Sequence, residues 1–286
     1  MQRWKIGDVT VTKVVEIEST GAATWILPDA TPENLAKEKW LVPHFANEKG
    51  KAHISIHSLV VESGDERILV DTCVGNDKVR PVPAWDRMSG PFLSDMAEAG
   101  FPPDSIDRVL CTHLHIDHVG WNTRLLDGKW VPTFENARYL FGQREFAYWS
   151  AEDQEDAPYG DVFGDSVQPV FEAGLVDLVA SDHVVNSEIR FEPTPGHTPG
   201  HVSVVIESRG ARGVITGDLM HHPVQCAHPE WGSSADVEPE RAERTRRDFL
   251  ARYADEPVLV IGTHFAGPTA GRIVRDGDAF RLDPDA

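Results

Sequence analysis

The stretch THLHIDHVG, Thr112 to Gly120, decides how this chain is read. His113, His115, Asp117 and His118 fall within six consecutive positions, directly after the apolar run RVLC at Arg108–Cys111. An imidazole is costly to bury without a partner, and histidine, aspartate and cysteine are the usual ligands of zinc-like ions. His113 and His115 are two apart, so an extended segment turns both to one side. Asp117 and His118 come where the chain is expected to turn into a helix, and they then face a neighbouring point. One segment thereby seeds two adjacent metal positions, which other parts of the chain must complete. The candidates are His197 in TPGHTPGH, Asp218 in TGDLMHH and His264 in GTHF, each at or near a glycine that permits a tight turn.

Outward from this cluster, the chain reads as alternating strands and helices. WKIGDVTVTKVVEIE predicts strand, turn, strand, and ISIHSLVVES with RILVDTC predicts a hairpin across GDE. Thr31 and Pro32 read as the cap and first residue of a short helix, and LSDMAEAG as a helix stopped by Gly100. VRPVPAWDRMSGPF is a Pro/Gly-rich loop of the length that functional or mobile loops have. ARYLFGQREFAYWS starts as a strand and becomes a helix, and AEDQEDAPYGD after it is expected to be exposed. IRFEPTPGHTPGHVSVVIESRGARGVITGD predicts three strands, PERAERTRRDFLARYADEP a helix, VLVIGTHF a buried strand and GRIVRDGDAFRL a hairpin. No Pro/Gly/Ser linker divides the chain, so one α/β domain over residues 1–286 is expected, with residues 1–50 as strands and an arm that covers the site or mediates dimerisation.

Composition narrows the function classes. The 286 residues are 41% hydrophobic and carry a net charge of -19. Such an acidic surface disfavours nucleic acid and anionic membranes. The N-terminus lacks a secretory pattern, and no apolar run is long enough to span a bilayer. Cys73, Cys111 and Cys226 form no disulfide pattern, so they read as buried thiols of a cytoplasmic protein.

Taken together, VDTCVG at Val70–Gly75, THLHIDHVG, PTPGHTPGHVS, TGDLMHH and GTHF resemble the metallo-β-lactamase-fold hydrolases, over most of the chain. The resemblance implies an αββα sandwich, two mixed sheets flanked by helices, and a two-metal centre. In it His113, His115 and His197 hold the first ion, Asp117, His118 and His264 the second, and Asp218 bridges them. Asp71 resembles the aspartate that orients a ligand histidine. His201 competes with His197 and is read as a strand residue near the site. One of His221 and His222 is read as facing the substrate and the other as structural. His57 is a further pocket candidate, and His44, His53, His183 and His228 are read as non-ligands.

Two divalent ions, zinc by default but manganese, iron or cobalt equally able to use these ligands, share a hydroxide and polarise a carbonyl or phosphoryl oxygen. The resemblance implies Asp117 and Asp218 as the catalytic carboxylates, with Asp117 able to pass a proton. His115 stands where redox di-iron relatives carry glutamate, and Asp218 where some β-lactamases carry cysteine, so hydrolysis of another bond is expected. GDLMHHPVQ resembles the lactonase and methyl parathion hydrolase-like branch. Trp25, Trp85, Met88, Phe92, Trp121 and Phe265 are candidates for an apolar substrate pocket. The expected substrate is a lactone or carboxylic ester with an apolar tail, ahead of an organophosphate triester, a glyoxalase II-like thioester, or a metal-stabilised binding role without turnover. A homodimer is a further expectation, paired through the apolar TWILP and KWLVPHF segments.

Overall fold

Apolar residues alternating with polar ones build the first strands, and continuous apolar runs build the strands at the centre of the fold. The computed structural model describes residues 1–151 and 160–285; most of the acidic AEDQEDAPYGD stretch lies outside them. Its contacts divide the chain into two compact units: Met1–Glu16 with Ile56–Ser181, and Ile17–Ser55 with Asp182–Ala286. Two of the three crossings fall inside β-strands, at Glu16/Ile17 and Ser55/Ile56, and the third in the turn at Ser181/Asp182, so no linker composition marks the boundary.

The first sheet has seven strands: β1 (Arg3–Ile6), β2 (Val9–Gly21), β3 (Ala52–Ser63), β4 (Glu66–Val70), β5 (Arg108–Leu110), β8 (Arg138–Gly142) and β9 (Val176–Val179), in that order. Between β5 and β8 lies the separate hairpin of β6 (Thr123–Leu126) and β7 (Lys129–Pro132). β3 and β4 pair antiparallel, with Leu59 opposite Val70, whereas β4, β5, β8 and β9 run parallel. The central parallel strands β4, β5 and β8 start on half-buried charged residues and then run apolar and fully buried. Helices α1 (Pro32–Leu35), α2 (Phe92–Glu98), α3 (Gln143–Ala151) and α4 (Gln168–Glu172) lie between the strands in sequence. Thr31 caps α1 by accepting the Asn34 N–H, and Gly100 ends the α2 segment with a positive φ.

The second sheet orders β10 (Ile189–Pro193), β11 (Val202–Ser208), β12 (Ala211–Ile215), β13 (Val258–Ile261), β14 (Ala270–Asp276) and β15 (Ala279–Asp283). It is mixed as well: β12 and β13 run parallel and the other pairs antiparallel. Helix α5 (Val224–Ala227) precedes α6 (Pro239–Tyr253). α6 buries Ala242, Arg246, Phe249, Leu250 and Tyr253, a stripe at helical spacing, and its apolar members Phe249, Leu250 and Tyr253 join a core with Val205, Val258 and Ile273. Two mixed sheets with helices are the α/β class expected.

One local expectation changes. The segment after Asp117 is a turn, closed by His118 N–H on the His115 carbonyl at 3.0 Å, followed by a single 3₁₀ turn at Gly120–Asn122. The cause is tertiary. Gly120 and Trp121 donate their N–H groups to Cys73 and Thr72, while the His118 carbonyl accepts from Thr72 N–H at 2.7 Å. An α-helix would need those backbone groups itself. A Cβ on Gly120 would sit 1.8 Å from the Val74 carbonyl oxygen, so only glycine fits this close approach. The β6–β7 hairpin went unread although its turn, Asp127-Gly128 with both φ positive, is a strong hairpin signal.

Candidate metal centre

In the first unit the candidate ligand residues sit just beyond the carboxyl ends of parallel strands, where α/β sheets usually place their chemistry. Asp71 follows β4 and His113–His118 follows β5. Asp71 takes the left-handed conformation, φ 56°, which swings its carboxylate towards the end of β5. There it accepts Thr112 N–H at 2.8 Å, Thr112 O–H at 2.8 Å and His118 Nδ1–H at 2.8 Å. The Thr112 hydroxyl has one proton and gives it to Asp71, so at 3.0 Å it accepts from His113 Nδ1–H. Both histidines therefore present Nε2 as a lone pair. Their ring centroids lie 4.1 Å apart, and His115 lies 4.8 Å from His113. Asp117 Oδ1 is 3.7 Å from His118 Nε2.

Two glutamates that the sequence reading passed over hold this loop, the half-buried Glu16 and the buried Glu145. Glu16 accepts the N–H groups of Val74 and Gly75 and, at 2.6 Å, the Trp121 indole N–H. Burial pushes its carboxyl above the ordinary range, and those hydrogen bonds pull against the rise. Glu145 on α3 accepts Leu114 N–H at 3.1 Å and the Trp149 indole N–H at 2.7 Å, and the Trp149 and His115 rings meet in a T-shaped contact with centroids 5.2 Å apart.

The second unit gathers its residues around Asp218. Gly217 and Asp218 follow β12 and His264 follows β13, again at the ends of a parallel pair. His197 lies after β10, next to Gly196; there φ is +140° and a Cβ would strike the Ala242 backbone at 2.3 Å, so glycine lets this loop rest on the start of α6. His197 Nδ1–H donates to Asp236 at 2.8 Å and its Nε2 is 3.5 Å from Asp218 Oδ2. His264 Nδ1–H donates to the Ser55 carbonyl at 3.1 Å and its Nε2 is 3.1 Å from Asp218 Oδ1. Thr263 O–H donates to the same oxygen at 3.2 Å. With their protons committed on the far side, both imidazoles aim lone pairs at a carboxylate. Lone pairs at this distance repel unless a cation lies among them, so the donor set fits a divalent ion.

Asp218 is itself held. Its N–H donates to His201 Nε2 at 2.8 Å, and His201 Nδ1–H donates to the Thr194 carbonyl at 3.0 Å. Both nitrogens of His201 thus serve the polypeptide. His222 is used in the same way: Nε2–H donates to the Phe45 carbonyl at 2.8 Å and Nδ1 accepts Val224 N–H at 3.2 Å. Burial lowers its pKa to about 4. His221 differs. It is 4% exposed, lies 3.1 Å from Asp218 Oδ2 through Nε2, and is held below the ordinary imidazole range by burial, against the pull of Asp218.

Asp236 and Arg246 were also missed. Asp236 Oδ2 accepts Ser233 N–H at 2.9 Å, and burial, which raises its pKa, is outweighed by His197, His221 and Arg246, so the net shift is downward. Arg246, fully buried on α6, donates to the carbonyls of Pro229 at 2.9 Å and Leu219 at 3.1 Å, bracing the residue after Asp218. A charged residue on the apolar stripe of α6 is the signal that would have found it. The aromatic pocket candidates divide: Phe92 stacks on Trp121 at 5.9 Å and both are buried, Phe265 belongs to the second unit's core, and Trp85 and His57 are buried. Met88 is half-buried, while Trp25 is 53% exposed on the arm. All three cysteines are free and buried.

Residues 54–264 match the model of the metallo-beta-lactamase superfamily. A probable metallo-hydrolase, YybB of Bacillus subtilis, is 26% identical over 62% of this chain and 67% of its own length. The N-acyl homoserine lactonase AiiA of Bacillus thuringiensis is 23% identical, over 57% of this chain and 62% of its own. The chain thus aligns with about two thirds or less of the length of these relatives. Among solved structures, AidC, a dizinc quorum-quenching lactonase, superposes with a TM-score of 0.78 at 21% identity, covering 100% of this chain and 97% of that one. The hydrolase AbOPH does so with a TM-score of 0.80 at 24% identity, covering 99% and 97%. At these identities the structural likeness establishes the fold.

Proposed function

Since the chain belongs to the metallo-β-lactamase superfamily, with N-acyl homoserine lactonases among its relatives, we propose that it hydrolyses a lactone or a carboxylic ester carrying an apolar tail. His113, His115 and His197 are assigned to one divalent ion, Asp117, His118 and His264 to a second, and Asp218 to both. Divalent ions held there would supply a hydroxide nucleophile near neutral pH and polarise the scissile carbonyl; zinc is the ion proposed, AidC being a dizinc lactonase. The chain's own residues prepare the donors. Asp71 and Thr112 fix the tautomers of His118 and His113, Asp236 and the Ser55 carbonyl fix those of His197 and His264, and His201 with Thr263 orients Asp218. Asp117 is assigned the proton shuttle. The observation that carries this reading is the commitment of the His197 and His264 Nδ1 protons, which leaves both Nε2 lone pairs aimed at Asp218. A small-molecule substrate, a cytoplasmic location consistent with three free thiols, a homodimer, and no nucleic-acid or membrane partner complete the proposal. Among the described residues no helix is long and apolar enough to cross a membrane.

The test is a hydrolysis panel on metal-replete protein: homoserine lactones of several tail lengths, aryl esters, an aryl phosphotriester, a thioester, a β-lactam and a diribonucleotide. Lactone or ester turnover a hundredfold above the rest is expected. A thioester or phosphotriester preference moves the assignment to that bond, and no turnover with both ions verified refutes hydrolysis.

A further inference from the structure

His221 stands three residues after Asp218, inside the donor cluster yet outside the seven-residue set. Its ring lies 4.8 Å from His197, edge to face, and parallel to His264 at 5.7 Å. Among the described residues neither ring nitrogen has a hydrogen-bond partner, although the side chain is almost wholly buried. The 3.1 Å approach of Nε2 to Asp218 Oδ2 is short enough for a hydrogen bond but lacks its alignment. Two electron-rich atoms at that separation, not aimed at each other, are placed as two ligands of one ion. Bonds of 2.0–2.1 Å in a tetrahedron separate neighbouring donor atoms by about 3.3 Å. His197 Nε2, at 3.5 Å from the same oxygen, completes a group of three donor atoms within 4.8 Å of one another.

We propose that His221 is a further ligand of the divalent ion held by His197 and Asp218, one that the chain can release. The proposal rests on the metal centre above. The contrast among the imidazoles supports the second half of it. His197 has Asp236 on Nδ1, and His264 has the Ser55 carbonyl. Among the described residues the Nδ1 of His221 has no hydrogen-bond partner, so none of them fixes its ring, and an unfixed imidazole leaves a metal more easily than an anchored one. A ligand of this kind would occupy a coordination position without being locked there, and on release its imidazole would stay beside Asp218.

The experiment uses the full chain, stripped of metal and reconstituted with Co²⁺. Affinity is read by competition with a chelator, and coordination by the visible d–d absorption. His221→Phe keeps the ring volume without a donor, His221→Ala removes both, and His221→Cys restores a ligand; circular dichroism and thermal melts of the apo proteins verify folding. Expected are a fivefold or greater loss of affinity for one of two equivalents in the Phe and Ala variants, an altered absorption band, and recovery in the Cys variant. Affinities within fivefold of the parent for both ions, with an unchanged band, overturn the proposal even if hydrolysis is lost, since His221 would then act on substrate alone. A parent that binds no ion overturns the centre and this inference together. Weakened ions in the variants of a parent that hydrolyses nothing in the panel leave His221 a ligand and refute only the proposed reaction.

Discussion

Replacing Asp236 with asparagine isolates the contribution of a residue that touches His197 only from behind. The carboxylate accepts His197 Nδ1–H at 2.8 Å on Oδ1 and Ser233 N–H at 2.9 Å on Oδ2. An amide supplies one acceptor oxygen, so whichever way it is turned, an NH₂ faces an N–H. A buried donor left unsatisfied costs about 1–3 kcal/mol, so the apo protein should lose stability by that amount. The charge that strengthens His197 as a donor is lost as well. Removing such an outer partner typically weakens a metal site about 10–100-fold, which is about 1.4–2.8 kcal/mol. The assay is a chelator competition titration of zinc on parent and Asp236→Asn, with apo melts in parallel. One equivalent should weaken by at least tenfold while the other stays within threefold. An apo melt that falls with both zinc affinities unchanged would refute the reasoning, because Asp236 would then be a loop brace and no more. The pH profile adds a check. The Asp236 pKa is lowered in the folded state, so its contribution is present above the ordinary carboxylate range and disappears on acidification below it. The asparagine variant should lose that part of the acid limb.

Asp218→Ala should remove both ions and all turnover, read by elemental analysis, whereas His201→Ala should keep both ions and lose about 1–3 kcal/mol of stability, because Asp218 N–H loses its acceptor. Asp165 sits between two buried cations, bidentate to Arg80 at 2.6 and 2.8 Å and 3.4 Å from Lys78. Asp165→Ala should cost about 3–5 kcal/mol, a fall in Tm on the order of 10 °C. Lys78→Met should change stability by under about 1.5 kcal/mol, since burial already opposes the lysine charge and lowers its pKa to about 8. His222, lowered to about 4 in the fold from an ordinary 6.5, stabilises the protein fully above pH 6.5 and less as pH falls towards 4. Apo protein should lose about 2 kcal/mol between pH 7 and pH 5 from this group, a slope that His222→Gln should flatten in denaturant titrations.

The local sequence determined the donor chemistry and most strands. THLHIDHVG marks its candidate ligands by residue type and spacing, which survive any packing, and GTHF and TGDLMHH could be matched to it because aspartate and histidine near strand-end glycines are locally distinctive. Tertiary structure decided what each donor's other side meets. Asp236 lies 39 positions from His197, Arg246 sits 17 positions from Pro229, and the Ser55 carbonyl is 209 positions from His264. A backbone carbonyl carries no signature, and a turn aspartate looks like any other until the fold delivers a histidine to it. The same holds for the turn after Asp117, whose backbone groups are taken by Thr72 and Cys73, and for His221 and His222, adjacent in sequence and alike in type. One meets the carbonyl of Phe45 and the other faces Asp218, because hydrogen bonding depends on which chain segments the core brings close, and that is a property of the whole packed chain.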